Sequence, residues 1–174
     1  MGVDERVSET LHGWATDHPL VADVLRFVTA MGRPQTLVVG AVLLAVFFVA
    51  RGRPRVGVFV VVATVGAWLI DNALKELFDR ARPAFDEPLA RSSGASFPSG
   101  HAMTSAAAYG AVAMVWRRAW MTAAIVVLVS AIAFSRVALG VHWLTDVVVG
   151  VLLGGAWAWG CARALRRGDE DLRP

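Results

Sequence analysis

Five apolar runs, roughly residues 34 to 50, 56 to 78, 100 to 116, 119 to 137 and 142 to 165, take up most of this chain. Short arginine clusters separate them: Arg51, Arg53 and Arg55 after the first, Arg117 and Arg118 after the third, and Arg163, Arg166 and Arg167 at the end of the fifth. In hydrocarbon a backbone must satisfy its own hydrogen bonds, so repeated apolar runs in one short chain predict helices that cross a bilayer. Several purely apolar stretches are nearer about 15 residues than the roughly 20 that a hydrocarbon core needs, so polar residues must complete each span at one end. Runs this short also suit a buried bundle in a soluble protein, which stays as the alternative, but five of them in one chain that is 56% hydrophobic favour the membrane. The expected fold class is all-α: one polytopic membrane helical bundle of about five transmembrane helices, a single domain over residues 1–174.

With five alternating spans all three arginine clusters fall on one side, which the positive-inside rule makes cytoplasmic. The expectation is a multi-pass plasma-membrane protein with a cytoplasmic tail, residues 166–174. The opposite, extracytoplasmic face receives residues 1–33, the loop 79–99 and the turn near Gly140. Residues 1–33 do not read as a span. Val3, Val7, Leu11 and Trp14 recur at helical spacing, Pro19 interrupts, and Leu20, Val24, Leu25 and Val28 repeat the pattern. Two interfacial helices fit this, with the bundle proper over residues 34–165. Acidic Asp4, Glu5 and Glu9 stand where a cleaved signal peptide would be basic. The net charge of +3 comes from scattered arginines with no basic face, so nucleic acid is not an expected partner. Cys161, the single cysteine, has no intramolecular disulfide partner.

A charge at the edge of a span costs about 2.5 to 3.5 kcal/mol, so each one needs a partner or a task. The span alternation gathers such residues on the extracytoplasmic side. In "SRVALGVHWLTD", residues 135 to 146, His142 and Asp146 are four apart, a spacing that shares a helical face and lets the carboxylate orient one imidazole nitrogen. Gly140 permits a turn that brings Arg136 to the same pocket. The plainer alternative is that Asp146 satisfies a buried histidine while Arg136 snorkels to the interface. In "KELFDRARP", residues 75 to 83, Lys75 is the only lysine, and it lies two helical turns from Arg82. Asp71 is in position to neutralise it. Glu76, Asp79 and Arg80 read as a solvated rim. In "ASFPSGHAMT", residues 95 to 104, Ser99 can cap a helix, Gly100 lets backbone amides approach an anion, and His101 stands in the first turn.

Together these residues supply two guanidinium groups, one ammonium and backbone amides for a phosphoryl group, with two histidines in different electrostatic settings. Such a set suits phosphoryl transfer, with His142 as nucleophile and His101 as the acid and then the base. It has no carboxylate cluster that would hold a metal, and none is expected.

Lys75 with Arg82 and Pro83, "PSGH" at 98 to 101, and "SR" at 135 with His142 and Asp146 resemble the three-part signature of the type 2 phosphatidic acid phosphatase superfamily. The resemblance implies a helical membrane enzyme that removes phosphate from lipids through a phosphohistidine, without a cofactor. It implies that Lys75, Arg82, Ser99, Gly100 and Arg136 hold phosphate, that His101 and His142 are the acid and the nucleophile, and that Asp146 is the partner of His142. Well-known members have six spans, whereas here the first is replaced by the segment before Pro34. Expected substrates are undecaprenyl pyrophosphate, another polyprenyl phosphate, phosphatidic acid or phosphatidylglycerol phosphate. A non-catalytic lipid-phosphate binder would use the same cations but would not need both histidines. The vanadium haloperoxidases share a similar anion pocket, but in soluble and much longer chains.

Overall fold

The computed structural model describes residues 2–86 and 88–166. Arg167 and the rest of the expected tail lie outside the described residues. Among the described residues seven helices follow in order: α1 (Val3–Asp17), α2 (Pro19–Met31), α3 (Pro34–Ala50), α4 (Pro54–Phe78), α5 (Gly100–Trp116), α6 (Ala119–Ala138) and α7 (Leu144–Arg166). Proline opens α2, α3 and α4, a position where its missing N–H costs nothing and its fixed φ suits the first turn.

The all-helical bundle is as expected, with the apolar runs as α3 to α7. Length and composition alone are sufficient for crossing in α4, α6 and α7. α3 and α5 have only 17 residues each. α2 and α3 meet the requirement together, as a pair bent by 42°. The second N-terminal helix and the first apolar run are together long and apolar enough for one broken span, an alternative to the interfacial placement that the sequence suggests. Its break is pressed into the bundle: a Cβ on Gly32 would lie 2.5 Å from Ile132 Cγ2 and 2.9 Å from Ser105 Oγ. α1 rests on α2, α6 and α7, burying Ser8, His12 and Ala15.

α5 is the hub, in contact with α3, α4, α6 and α7. Its core neighbours are small: Ala63 and Ala67 of α4, Ala107 and Ala111 of α5 and Ala158 of α7 are fully buried. Phe59 and Met103 fill the space between them, and many other large apolar side chains, among them Leu43, Val46, Val127 and Leu152, point outward. The small contact residues and the apolar exterior suit a lipid solvent, in which close backbone approach helps to hold helices together. α7 meets α5 through Gly150 and Gly154, four apart. A Cβ on Gly150 would sit 2.9 Å from the Ser99 carbonyl oxygen, and one on Gly154 would strike the Met103 carbonyl. This approach brings the start of α5 against the start of α7. By connectivity the C-terminal ends of α4 and α6 and the N-terminal ends of α5 and α7 share one end of the bundle, and the arginine clusters lie at the other.

Candidate active site

The site is built where those four helix ends meet, beneath the loop 79–99. α4 stops at Phe78, and Asp79 takes a left-handed conformation (φ 37°). Arg82 therefore lies beyond the helical face that carries Lys75, as Pro83 after it favours. Arg82 is delivered by the loop instead, and its guanidinium organises that loop. It donates to the carbonyls of Gly94 (2.9 Å), Ser93 (3.2 Å), Ala95 (3.0 Å) and Val141 (2.6 Å). Its Nη1 also lies 3.1 Å from His142 Nε2.

An arginine can only donate, so Nε2 is the acceptor and carries the lone pair, which puts the imidazole proton on Nδ1. Nδ1 faces Ser96 Oγ at 3.4 Å and Asp146 Oδ2 at 3.6 Å. The Ser96 hydroxyl in turn donates to Asp146 Oδ2 at 2.5 Å. The expected direct imidazole–carboxylate bond is thus bridged by a hydroxyl. α7 begins only at Leu144, so His142 precedes the helix and does not share a face with Asp146. Asp146, in the first turn of that helix, reaches back to accept the Trp143 N–H at 2.9 Å. His142 and Asp146 are almost wholly buried. Burial pushes the His142 imidazole from 6.5 down to about 4, opposed by Asp146 and reinforced by Arg136 and Arg82. The ring is accordingly neutral at pH 7. Arg82, outside the spans, is also held below its ordinary value, chiefly by burial, with Asp146 and Asp71 opposing.

Arg136 does not snorkel: it is buried (3% exposed), its carbonyl accepts the N–H groups of Val141 and His142, and its Nη1 donates to Thr29 of α2 at 3.0 Å. Gly140 makes the intervening turn with φ +74°. Lys75 pairs with Asp71, as their spacing predicts. The pair presses against Gly100, where a Cβ would lie 2.6 Å from Asp71 Oδ2 and 3.2 Å from Lys75 Nζ. Glycine is therefore required there by side chains of α4, a reason the sequence does not carry. Ser99 occupies the N-cap position of α5 without making a cap bond. Its buried hydroxyl has no hydrogen-bond partner among the described residues. His101 is within electrostatic reach of Arg136, His142, Lys75 and Arg33.

All eight sequence-predicted residues thus converge on one end of the bundle. Glu76 and Asp79 are exposed, as a solvated rim requires. Arg80 is not rim: its Nη1 donates to Asp146 Oδ1 at 2.6 Å, and its Nη2 pairs with Asp4 at 2.8 Å. Ser96, Thr29 and Asp4 were not anticipated. Nothing in their local sequence distinguishes them, because their partners are 50, 107 and 76 positions away. Among the described residues no group of three or more His, Cys, Asp or Glu side chains is placed to hold a metal ion.

A family model for the PAP2 superfamily matches residues 55–169. The chain is 36% identical over 97 residues to phosphatidylglycerophosphatase B of Bacillus subtilis (strain 168), a match that covers 49% of this chain and 46% of that protein. It is 42% identical over 101 residues to a decaprenylphosphoryl-5-phosphoribose phosphatase of Mycobacterium tuberculosis, covering 53% and 54%. It is 30% identical over 134 residues to an undecaprenyl-diphosphatase of Sulfolobus acidocaldarius, covering 74% and 63%. The chain spans about half the length of the first two relatives and less than two thirds of the third. The crystal structure of a transmembrane PAP2 type phosphatidylglycerolphosphate phosphatase from Bacillus subtilis superposes with a TM-score of 0.86 at 26% identity, over 97% of this chain and 87% of that one. Aquifex aeolicus LpxE shares the fold, with a TM-score of 0.77 at 21% identity over 94% and 96%.

Proposed function

The chain belongs to the PAP2 superfamily, and from that membership we propose that it is a multi-pass membrane phosphatase that removes phosphate from a lipid phosphate or diphosphate through a phosphohistidine. The observation that carries this reading is the state of His142: neutral, with Nδ1–H turned toward Ser96 and Asp146 and the Nε2 lone pair turned toward Arg82. A nucleophilic imidazole needs that arrangement.

Lys75, Arg82, Arg136, the Ser99 hydroxyl and the backbone at Gly100 hold the phosphoryl oxygens and stabilise their charge as it spreads in the transition state. The arriving phosphoryl group takes the Arg82 donor away from Nε2, whose lone pair then attacks phosphorus. The P–N bond forms as the P–O bond to the lipid breaks, and His101, protonated once the phosphoryl anion offsets the cations around it, gives that proton to the leaving oxygen. His101 next takes a proton from water. That water attacks the phosphohistidine, the P–N bond breaks, inorganic phosphate leaves, and His142 returns to its neutral form. Asp146 steadies the positive charge on the ring between the two steps. No cofactor enters this scheme.

The names of relatives, among them a phosphatidylglycerophosphatase, undecaprenyl-diphosphatases and lipid A phosphatases, support a lipid phosphate as substrate. Undecaprenyl pyrophosphate, another polyprenyl phosphate, phosphatidic acid and phosphatidylglycerol phosphate all fit the pocket chemistry. The arginine clusters at the far end of the bundle support an extracytoplasmic site and a cytoplasmic C-terminus. The test is phosphate release in detergent from a panel of these lipids, with and without chelator, comparing the native chain with His142→Ala and Lys75→Ala. Both substitutions should abolish or nearly abolish turnover, chelator should have no effect, and vanadate should inhibit. Turnover that survives His142→Ala removes the proposed nucleophile.

A further inference from the structure

We propose that Asp4 and Arg80 form a positioning relay, in which the N-terminal helix α1 sets the orientation and charge of Asp146 and, through it, the reactivity of His142. The proposal rests on the phosphatase reading above. Asp4 lies outside the residues that match the family model, yet its carboxylate engages two elements of the site. Oδ1 accepts the backbone N–H of Thr145 at 3.0 Å, and Oδ2 accepts the Thr145 hydroxyl at 2.5 Å. Oδ2 also accepts Arg80 Nη2 at 2.8 Å. Arg80 Nη1 then reaches Thr145 Oγ1 at 2.7 Å and Asp146 Oδ1 at 2.6 Å.

Asp146 therefore has its two oxygens assigned to different tasks. Oδ1 takes the cation, while Oδ2 takes Ser96 and the Trp143 N–H and faces the imidazole. A carboxylate held at both oxygens cannot rotate, and a guanidinium on one of them lowers the basicity that the other offers to Nδ1–H. Asp4 fixes the guanidinium. Its own carboxyl is held below the ordinary range, burial being outweighed by the hydrogen bonds from Thr145 and Arg80. A cleft of about 420 Å³, lined by Asp4, Arg80, Trp143 and Thr145 among others, opens beside the contact. The Asp4–Arg80 pair is part-exposed, so it adds little to stability by itself. Its consequence falls on the buried end of the relay, where Asp146 is fully enclosed.

The other groups facing His142 are Arg82 from the loop, Arg136 from α6, His101 from α5 and Asp146 from α7, with Lys75 of α4 and Arg33 of the α2–α3 break acting on His101. Of these groups only Asp146 is linked to Asp4, through Arg80, and Asp4 makes no direct contact with Arg82, Arg136, His101, Lys75 or Arg33. With Arg80 loosened, His142 feels a less compensated carboxylate and protonates at higher pH, so the acid limb of the rate profile moves up.

The experiment measures kcat, KM and the pH profile of phosphate release from dioleoyl phosphatidic acid in mixed micelles by the full chain. It compares the native chain with Asp4→Asn, Asp4→Ala, Asp4→Glu and Arg80→Ala. Asp4→Asn keeps an oxygen for Thr145 but removes the charge that holds Arg80. Asp4→Asn and Arg80→Ala should each lower kcat about tenfold with KM nearly unchanged, and raise the acid limb by about half a unit. Asp4→Glu should restore much of the loss. An unchanged acid limb and kcat in Asp4→Asn overturns the relay, as does a loss confined to thermal stability. The nitrogen-15 NMR titration of His142 is read in the same variants without substrate. If the native chain releases no phosphate from any lipid, the phosphatase reading fails while the imidazole titration still decides the relay, and a titration unmoved by Asp4→Asn refutes it.

Discussion

Replacing Gly100 by alanine adds one methyl group at the most crowded point of the site. The new Cβ would lie 2.6 Å from Asp71 Oδ2, about 0.8 Å inside the 3.4 Å at which ordinary contact begins. The obstacle cannot swing away as a surface side chain would: Asp71 is 3% exposed, and its Oδ2 is paired with Lys75. Relief requires the Asp71–Lys75 pair to retreat along α4 or the first turn of α5 to lift, and either moves Lys75 Nζ or the Ser99–His101 turn by most of an ångström. Overpacking of this kind costs about 1 to 3 kcal/mol of stability, which a bundle can absorb and still fold. A misplacement of about 1 Å in a catalytic array costs about 100-fold in rate, and that is the expected loss in kcat/KM for lipid-phosphate hydrolysis. Inhibition by vanadate should weaken in parallel, because the same cation is displaced. The assay is steady-state hydrolysis in detergent beside a thermal unfolding trace. A Gly100→Ala protein that unfolds normally and retains native kcat/KM would show that Lys75 need not sit where it does, and would refute the assignment of that ammonium to the phosphate.

Ser96→Ala removes the hydroxyl that links His142 to Asp146 and leaves a buried carboxylate one donor short. A lost charge-assisted hydrogen bond of about 1.5 to 3 kcal/mol corresponds to a fall in kcat of roughly 10- to 100-fold, read by steady-state kinetics. Arg82→Lys keeps the charge but cannot bind four carbonyls and His142 Nε2 at once, so activity should fall and protease cleavage within the 79–99 loop should become faster. The acid limb of kcat/KM assigned to His142 should lie well below 6.5. Burial has lowered this group, so its neutral form persists as pH falls and is lost only on approach to about 4. A limb at 6.5 that moves with substitutions around His142 would contradict that depression.

What the chain determined unaided is the bundle and the end of it at which the costly polar residues gather. Apolar runs that polar residues complete to bilayer length leave few ways to satisfy a backbone in hydrocarbon, and the polar residues at the ends of those runs are too costly to be idle. For that reason Lys75, Arg82, Ser99, His101, Arg136, His142 and Asp146 are expected together at one end of the bundle, with Gly100 beside them where backbone amides could meet an anion, and the structure brings all eight to that end. The tertiary structure decided how they are held. It placed Ser96 between His142 and Asp146, turned Arg80 from the rim onto that carboxylate, and supplied Thr29 and Asp4 from helices that looked peripheral. It also gave Gly100, Gly150 and Gly154 their reasons, each a close approach by an element distant in the chain. Periodicity and charge report on a residue's immediate neighbours and its solvent. A hydrogen bond that spans 50 or more positions depends on how the helices pack, and no short-range pattern encodes it.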